Sequence, residues 1–312
     1  MTFNLTILGS GSATPVLNRH TTAQALTIEG DYFLIDCGEG TQYRLMENHL
    51  RPGRLKYIFI SHLHGDHYFG LVPLLSSLNL SGRTDDLWLF GPRGLWEIIT
   101  VQFRYSDTKL NYPIHFQETD PSKPQLIFDH PNVQVETIPL QHRIDCTGFL
   151  FREKGRKRKL IAEKLPADLP VSYYRQLKDG HDILDERGQV LYSVGAYTLP
   201  APRPRSYAFC SDTRYNEAMF DQIRGVDLLY HEASFLDDME ALSEKYFHST
   251  ARQAALTARQ VGAGRLLIGH FSSRYKVTDD FLTQARTVFP ETYLAMEGET
   301  MEINSQTTEE RN

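Results

Sequence analysis

Chemistry concentrates in one stretch of this chain, residues 57–75, YIFISHLHGDHYFGLVPLL. Imidazole nitrogens and carboxylate oxygens are the donors that zinc-type cations accept. His62, His64, Asp66 and His67 place four of them close together in sequence. His62 and His64 lie two apart, so on an extended segment both imidazoles face one way. Asp66 and His67 come after Gly65, which lets the backbone turn, and they face a second point beside the first. The pattern therefore predicts two neighbouring cations. Each needs about four donors, with a position left for water.

The remaining donors are expected at strand ends, because a sheet fixes strand ends. His142 follows VETIPLQ, Asp212 follows SYAFCS, and His270 follows GRLLIG. Each closes a short apolar run, as His62 closes YIFIS. A lone histidine at such a place is more often a hydrogen-bonded rim residue than a ligand. Three donors at the same punctuation, beside HLHGDH, reverse that expectation.

Elements must position these groups. Residues 57–60 are β-branched or aromatic and too few for a helix, so a buried strand delivers the histidine cluster. Upstream, FNLTILG reads as a strand ending in the tight turn Gly9-Ser10-Gly11, and AQALTIEG with DYFLIDCGEGTQ as a hairpin about Gly30-Asp31. A helix is expected over 41–49. GLVPLLSSLNL reads as a helix, DLWLFGP as a strand and GLWEIITVQFRY as a helix. Over 112–151 four strands follow in succession. After residue 205 come the strand SYAFCSDT, the helix NEAMFDQIRG, the strand VDLLYHEAS and helices over 237–246 and 249–261. GRLLIGHFS is a further strand, TDDFLTQARTVF a helix and TYLAMEGETMEI a last single strand. The order predicts a mixed α/β body of two sheets with helices packed outside. No short fixed-period repeat occurs, which excludes a solenoid.

Residues 152–200 break this order: they start very basic, turn weakly periodic and end rich in proline. So long a stretch is implausible as a plain loop. It reads as an inserted arm with structure of its own, projecting from a body that spans 1–303. A polar tail follows over 304–312.

With 312 residues, 41% hydrophobic and 23% charged, the chain is composed like an ordinary globular protein. The net charge of −6 argues against a protein that coats nucleic acid uniformly, but leaves room for a local basic patch. Cys37, Cys146 and Cys210 are an odd count without CxxC spacing, which favours a reducing compartment, the cytoplasm. No long uncharged apolar run is present, so no membrane association is expected.

HLHGDH resembles the HxHxDH signature of the metallo-β-lactamase superfamily of two-metal hydrolases. DCGEGTQYRL, SHLHGDHYFGL, HEASF and HST together resemble the ribonuclease Z family, endonucleases that remove 3′ trailers from precursor tRNA. The likeness runs from the first strand to about Tyr275 and implies the αββα four-layer sandwich with an inserted flexible arm. It implies two Zn2+ per subunit: one held by His62, His64 and His142, the other by Asp66, His67 and His270, with Asp212 bridging. Asp66 would also handle the proton of the attacking water. His248 of HST is the candidate to protonate the leaving 3′-oxygen, and the resemblance implies that Glu232 of HEAS orients it, where Ser234 replaces the family's usual threonine. From the residues alone, His248 would have been read as a helix-start histidine beside an N-cap Ser249. The insertion resembles the family's exosite arm, so Arg156, Lys157, Arg158 and Lys159 are expected on tRNA phosphates. Its expected glycine-proline-rich tip is replaced by DLPVSYYRQLKDG. APRPRS, with Arg203 and Arg205, resembles the loop that rejects CCA-bearing tRNA. A homodimer is implied, one subunit's arm gripping precursor tRNA cut by the other.

Two other functions compete. A small-molecule phosphodiesterase, sulfatase or lactonase would share the metals but have no use for a basic arm or for HST. A catalytically silent RNA-binding or scaffold protein would have lost ligands, and here each expected ligand is present.

Overall fold

Period-two alternation decides which way each strand faces. The run after Arg54 sends Tyr57 and Phe59 into one buried cluster and Ile58 and Ile60 into another, as successive Cβ atoms point to opposite faces. Tyr207 and Phe209 against Ala208 and Cys210 repeat the pattern.

The computed structural model describes residues 2–14 and 16–305, so the tail expected over 304–312 lies, beyond Ser305, outside the described residues. The first strands are β1 (Phe3–Gly9), β2 (Ala23–Ile28), β3 (Asp31–Ile35), β4 (Leu55–Phe59), β5 (Leu87–Gly91) and β6 (Ile114–Glu118). Helices α1 (Thr41–Glu47), α2 (Gly65–Tyr68), α3 (Leu71–Leu80) and α4 (Leu95–Tyr105) fall between them. Next come β7 (Leu126–Asp129), β8 (Val133–Pro139) and β9 (Thr147–Glu153). The insertion carries β10 (Lys159–Leu160), α5 (Val171–Lys178), β11 (Ile183–Leu184), β12 (Val190–Tyr192), α6 (Val194–Tyr197) and β13 (Thr198–Leu199). The chain closes with β14 (Ser206–Cys210), β15 (Leu228–Glu232), α7 (Glu240–Tyr246), α8 (Ala251–Val261), β16 (Arg265–Gly269), α9 (Asp279–Arg286), β17 (Thr292–Leu294) and β18 (Thr300–Glu302).

Two seven-stranded sheets result, ordered β18-β1-β2-β3-β4-β5-β6 and β17-β16-β15-β14-β9-β8-β7. One apolar cluster draws from both sheets, including the stacked Phe59–Phe90 and Phe209–Tyr230 pairs. A second packs the first sheet on α1, α3 and α4, and a third packs the other sheet on α8 and α9. The layers are helix, sheet, sheet, helix. Strands β3 to β6 are parallel, as are β14 to β17. Each parallel set therefore ends its strands along one edge, where ligands of such sheets bind.

Three expected elements differ. NEAMFDQIRG forms only a 3-10 turn at Glu217–Met219 and further turns. Met219, Ile223 and Val226 have helical spacing and are buried. The segment must also link adjacent parallel strands, and Gly225 breaks it at φ 67. TYLAMEGETMEI is two strands in different sheets, β17 and β18, divided at Gly298 with φ 85. The N-cap of α8 is Thr250, in a capping box with Gln253, and not Ser249.

Glu153–Pro204 forms a separate compact unit. Its two short antiparallel ribbons, β10 with β13 and β11 with β12, enclose with α5 a small core of Leu169, Leu177 and Ile183.

Candidate metal centre

β4 delivers Ser61 and His62, and α2 carries Asp66 and His67. Gly65 has no left-handed φ; a Cβ there would meet the exposed Phe69 ring at 2.2 Å, and that ring would have to swing aside. His142 follows β8, Asp212 follows β14, and His270 follows β16. Those strands come from the second sheet, so the site is closed by both halves of the sandwich.

The seven donors form two groups. His62 Nε2 lies 3.1 Å from His64 Nδ1 and 3.6 Å from Asp212 Oδ2, and His142 Nε2 lies 3.0 Å from His64 Nδ1 and 3.8 Å from Asp212 Oδ2. In the other group His67 Nε2 lies 3.3 Å from both His270 Nε2 and Asp66 Oδ2, and 3.4 Å from Asp212 Oδ1. His270 Nε2 is 3.3 Å from Asp66 Oδ2 and 3.2 Å from Asp212 Oδ1. A tetrahedral shell with bonds of about 2.0–2.2 Å has edges of about 3.3–3.5 Å. The second group's separations of 3.2–3.4 Å match that shell, the first group's of 3.0–3.8 Å scatter about it, and Asp212 turns one oxygen to each. The nitrogens of each group converge on one point, as donors around a cation do. Asp212 Oδ1, buried without a hydrogen bond, points the same way.

The electrostatics agree. Burial pushes the Asp212 carboxyl up, but His270, His67 and His62 hold it well below the usual range. Burial pulls the His67 imidazole down, yet Asp66, Asp212 and Asp36 raise it well above its ordinary value. His64 is pushed down to about 4 by burial and by His142. The site attracts positive charge at one group and resists protons at another.

A carboxylate lies under each side of the cluster. His67 Nδ1 donates to Asp36 Oδ2 at 2.7 Å. His62 Nδ1 donates to Ser61 Oγ at 2.9 Å, and Ser61 Oγ donates on to Asp36 Oδ2 at 2.9 Å. Asp36 thereby orients one imidazole in each group. Burial pushes its carboxyl up, and the donors from His67 and Ser61 favour the ionised form. Sequence reasoning missed Asp36, although it too closes an apolar strand run. Such partners fix tautomer and ring orientation in ligating histidines. His142 Nδ1 likewise donates to the Phe247 carbonyl at 3.1 Å.

On the other side, His270 Nδ1 donates to Ser234 Oγ at 2.9 Å, and Ser234 Oγ donates to Glu232 Oε2 at 2.8 Å. His248 Nδ1 donates to Glu232 Oε1 at 2.8 Å. The hydroxyl kept at Ser234 is thus engaged. Burial depresses the His248 imidazole, but Glu232, with Asp212 behind it, brings it up to about 9. With Nδ1 committed, Nε2 is the nitrogen left to give a proton outward. Asp36, Phe247 and His270 all hold left-handed φ, of 55°, 59° and 62°. Such strain costs about 1–3 kcal/mol per residue and clusters at functional sites.

A cavity of ≈ 250 Å³ is lined by His64, Asp66, Asp212, His248 and His270 together with Ser12 and Arg143. Ser12 and Arg143 carried no sequence signal beyond their neighbours.

The expected RNA contacts divide. Lys157 pairs with Asp179 at 2.8 Å, Arg156 lies 3.7 Å from Glu153, and Arg158 Nε donates to Thr198 Oγ1 at 2.7 Å. Lys159 and Arg203 are exposed. Arg205 is a correction: it is buried, its guanidinium stands over the Phe3 ring, and it donates to the Ile303 carbonyl at 3.2 Å. It braces the sheets and presents nothing to a ligand.

The family model described as Anti-Pycsar protein Apyc1 matches residues 3–157. The ribonuclease Z of Cytophaga hutchinsonii is 50% identical over 312 residues, the whole of both chains. That of Bacteroides fragilis is 42% identical over 296 residues, 95% of this chain and 97% of the other. The crystal structure of human tRNase Z, short form (ELAC1), superposes with TM-score 0.70 at 28% identity, over 96% of this chain and 99% of that one. The Bacillus subtilis metallo-β-lactamase fold protein YhfI shares the fold with TM-score 0.69 at 19% identity, over 97% of this chain and 100% of its own.

Proposed function

The chain belongs to the ribonuclease Z family, an endoribonuclease of the metallo-β-lactamase fold, and from that premise we propose that it removes the 3′ trailer from precursor tRNA. The products are a tRNA ending in a 3′-hydroxyl and a trailer beginning with a 5′-phosphate. The observation that carries this reading is the pair of four-donor groups sharing Asp212, with the Glu232–His248 pair beside them.

His62, His64, His142 and Asp212 would hold one Zn2+, and Asp66, His67, His270 and Asp212 the other. Two such cations supply Lewis acidity, which acidifies a water nucleophile and offsets charge on the phosphoryl oxygens. Burial pushes the Asp66 carboxyl up, but His67 and His270 hold it well below the usual range, so it is ionised and able to accept the water's proton. His248, kept protonated and oriented by Glu232, gives a proton to the leaving 3′-oxygen.

The arm supplies phosphate contacts through Arg156, Lys157, Arg158 and Lys159, with Arg203 near its end. Two protomers pair, one arm holding the tRNA that the partner cuts. The work is cytoplasmic. In support, no helix among the described residues is long and apolar enough to cross a membrane, and all three cysteines are buried and free.

The test is incubation with a 3′-extended precursor tRNA and zinc, with the cut mapped and the ends identified. A single cut at the 3′ end of the tRNA body, leaving the stated ends, is expected. Turnover of small phosphodiesters with no cut in the precursor would instead establish the small-molecule reading.

A further inference from the structure

Three segments that carry functional side chains meet at one buried residue, Thr213. It directly follows the bridging Asp212 and is fully buried. Its amide donates to Glu232 Oε1 at 3.1 Å, the same oxygen that takes His248 Nδ1 at 2.8 Å. Its hydroxyl accepts from the amide of Gln141, the residue before His142, at 3.1 Å. Its carbonyl accepts from the hydroxyl of Ser249, the residue after His248, at 2.8 Å.

Ser249 has no part in the chemistry above, yet it is fully buried and its hydroxyl is engaged. A serine just ahead of a helix ordinarily caps it. Here that work falls to Thr250 with Gln253, so α8 does not draw on the Ser249 hydroxyl. The hydroxyl is committed instead to Thr213, across the gap between the acid's segment and the bridging carboxylate's.

These bonds close a ring. From the Thr213 amide it passes through Glu232 to His248, along the backbone to Ser249, and through the serine hydroxyl back to the Thr213 carbonyl. Glu232 fixes which way the imidazole points, but not where the backbone of residue 248 stands. On the far side Phe235 holds the segment by backbone bonds. Its amide meets the Ser249 carbonyl at 3.4 Å, and its carbonyl meets the Ala251 amide at 3.0 Å. Those bonds tie the segment to the loop after β15, and the Ser249 hydroxyl ties it to the residue beside Asp212. A general acid acts only within hydrogen-bond reach of the leaving oxygen, and a misplacement of about 1 Å can cost about 10²-fold.

We propose that Ser249 is a positioning residue for proton donation: its hydroxyl, held by the Thr213 carbonyl, keeps His248 at a fixed place relative to Asp212. The inference rests on the precursor-tRNA reading above, and within it on His248 as the acid. Ser249 touches no reacting group and acts through its neighbour. Its hydroxyl therefore matters to the reaction only where His248 is used.

The test is a double-mutant cycle on the zinc-loaded protein, read with precursor tRNA and with a nitrophenyl phosphodiester. Ser249→Ala should keep the zinc content of the wild type and lower kcat on precursor tRNA by about 10–100-fold, with KM little changed. The nitrophenyl ester, whose leaving group needs no proton, should lose much less. In a His248→Ala background the same substitution should cost almost nothing further, because residues that act as one unit are not additive. Ser249→Cys, close to serine in size but a weak donor, repeats the cycle should Ser249→Ala fail to fold. Equal losses in both backgrounds, or on both substrates, would make the serine a structural residue only and overturn the proposal. An unchanged kcat on precursor tRNA would overturn it as well. A His248→Ala variant as fast as the wild type would remove the acid, and the positioning role with it. A wild type that cuts no precursor would sink the underlying reading.

Discussion

At the scale of single residues, Asp212 is the joint of the site, because its two oxygens face different donor groups. Asp212→Ala should lose both cations as well as activity, read by elemental analysis; full metal content with full activity would remove its bridging role. Asp36 touches no reacting group, yet it collects His67 directly and His62 through Ser61. Asp36→Asn should weaken zinc binding by about 10–100-fold, the usual cost of losing a partner behind a ligand. A competition titration with a chromophoric chelator measures this. His248→Ala should keep both metals and lose about 10²–10⁴-fold on precursor tRNA. A nitrophenyl phosphodiester, whose leaving group needs no proton, should suffer much less; equal losses would argue against proton donation. His62, His142, Asp212 and His270 were legible as candidate donors because each closes an apolar run, and His64, Asp66 and His67 because they crowd one short stretch. Asp36 obeys the same rule, but nothing local shows that its carboxylate reaches a histidine on the next strand's loop. Arg205 misled for the opposite reason: a basic run says nothing about which of its members folds inward over Phe3.

At the scale of elements, strand and helix types could be read where apolar periodicity was long, and failed where spacing alone decided. Met219, Ile223 and Val226 imitate a helix face but sit in a 3-10 turn, a further turn and the irregular backbone after it. The final strand was divided by one left-handed glycine, Gly298, which sends β17 and β18 to different sheets. Helix α8 starts three residues after His248, and its Thr250–Gln253 capping box holds that junction. Thr250→Ala should cost about 0.5–2 kcal/mol of stability by denaturant unfolding. The arm has its own small core, so replacing residues 154–204 by a short Gly/Ser linker should leave the metals bound. Precursor-tRNA binding should fall steeply while hydrolysis of a small diester persists. Neutralising Arg156, Lys157, Arg158 and Lys159 should flatten the salt dependence of RNA binding by roughly one unit for each phosphate left without its cation. Lys157 already pairs with Asp179, an exposed pair of little intrinsic strength that a phosphate can displace. An unchanged slope would assign the run to solvent.

At the scale of the molecule, the sandwich exists to bring two sets of strand ends to one place. The first sheet contributes His62, His64, Asp66 and His67 from a single loop and helix turn, and the second contributes His142, Asp212 and His270 from three strands. Neither sheet alone completes either donor group, so the centre exists only where both sheets are folded against each other. Sequence placed the later donors at strand ends and resemblance joined them to the first four, but neither gave the separations at which they meet, such as the 3.3 Å between His67 and His270. The most direct test of the account is stepwise zinc reconstitution of metal-stripped protein, with bound ions per chain and precursor-tRNA cleavage read on the same samples. Cleavage should be absent without metal and reach its full value as the chain fills to two ions. Full cleavage by the stripped protein, or saturation of both binding and activity at a single ion, would contradict it.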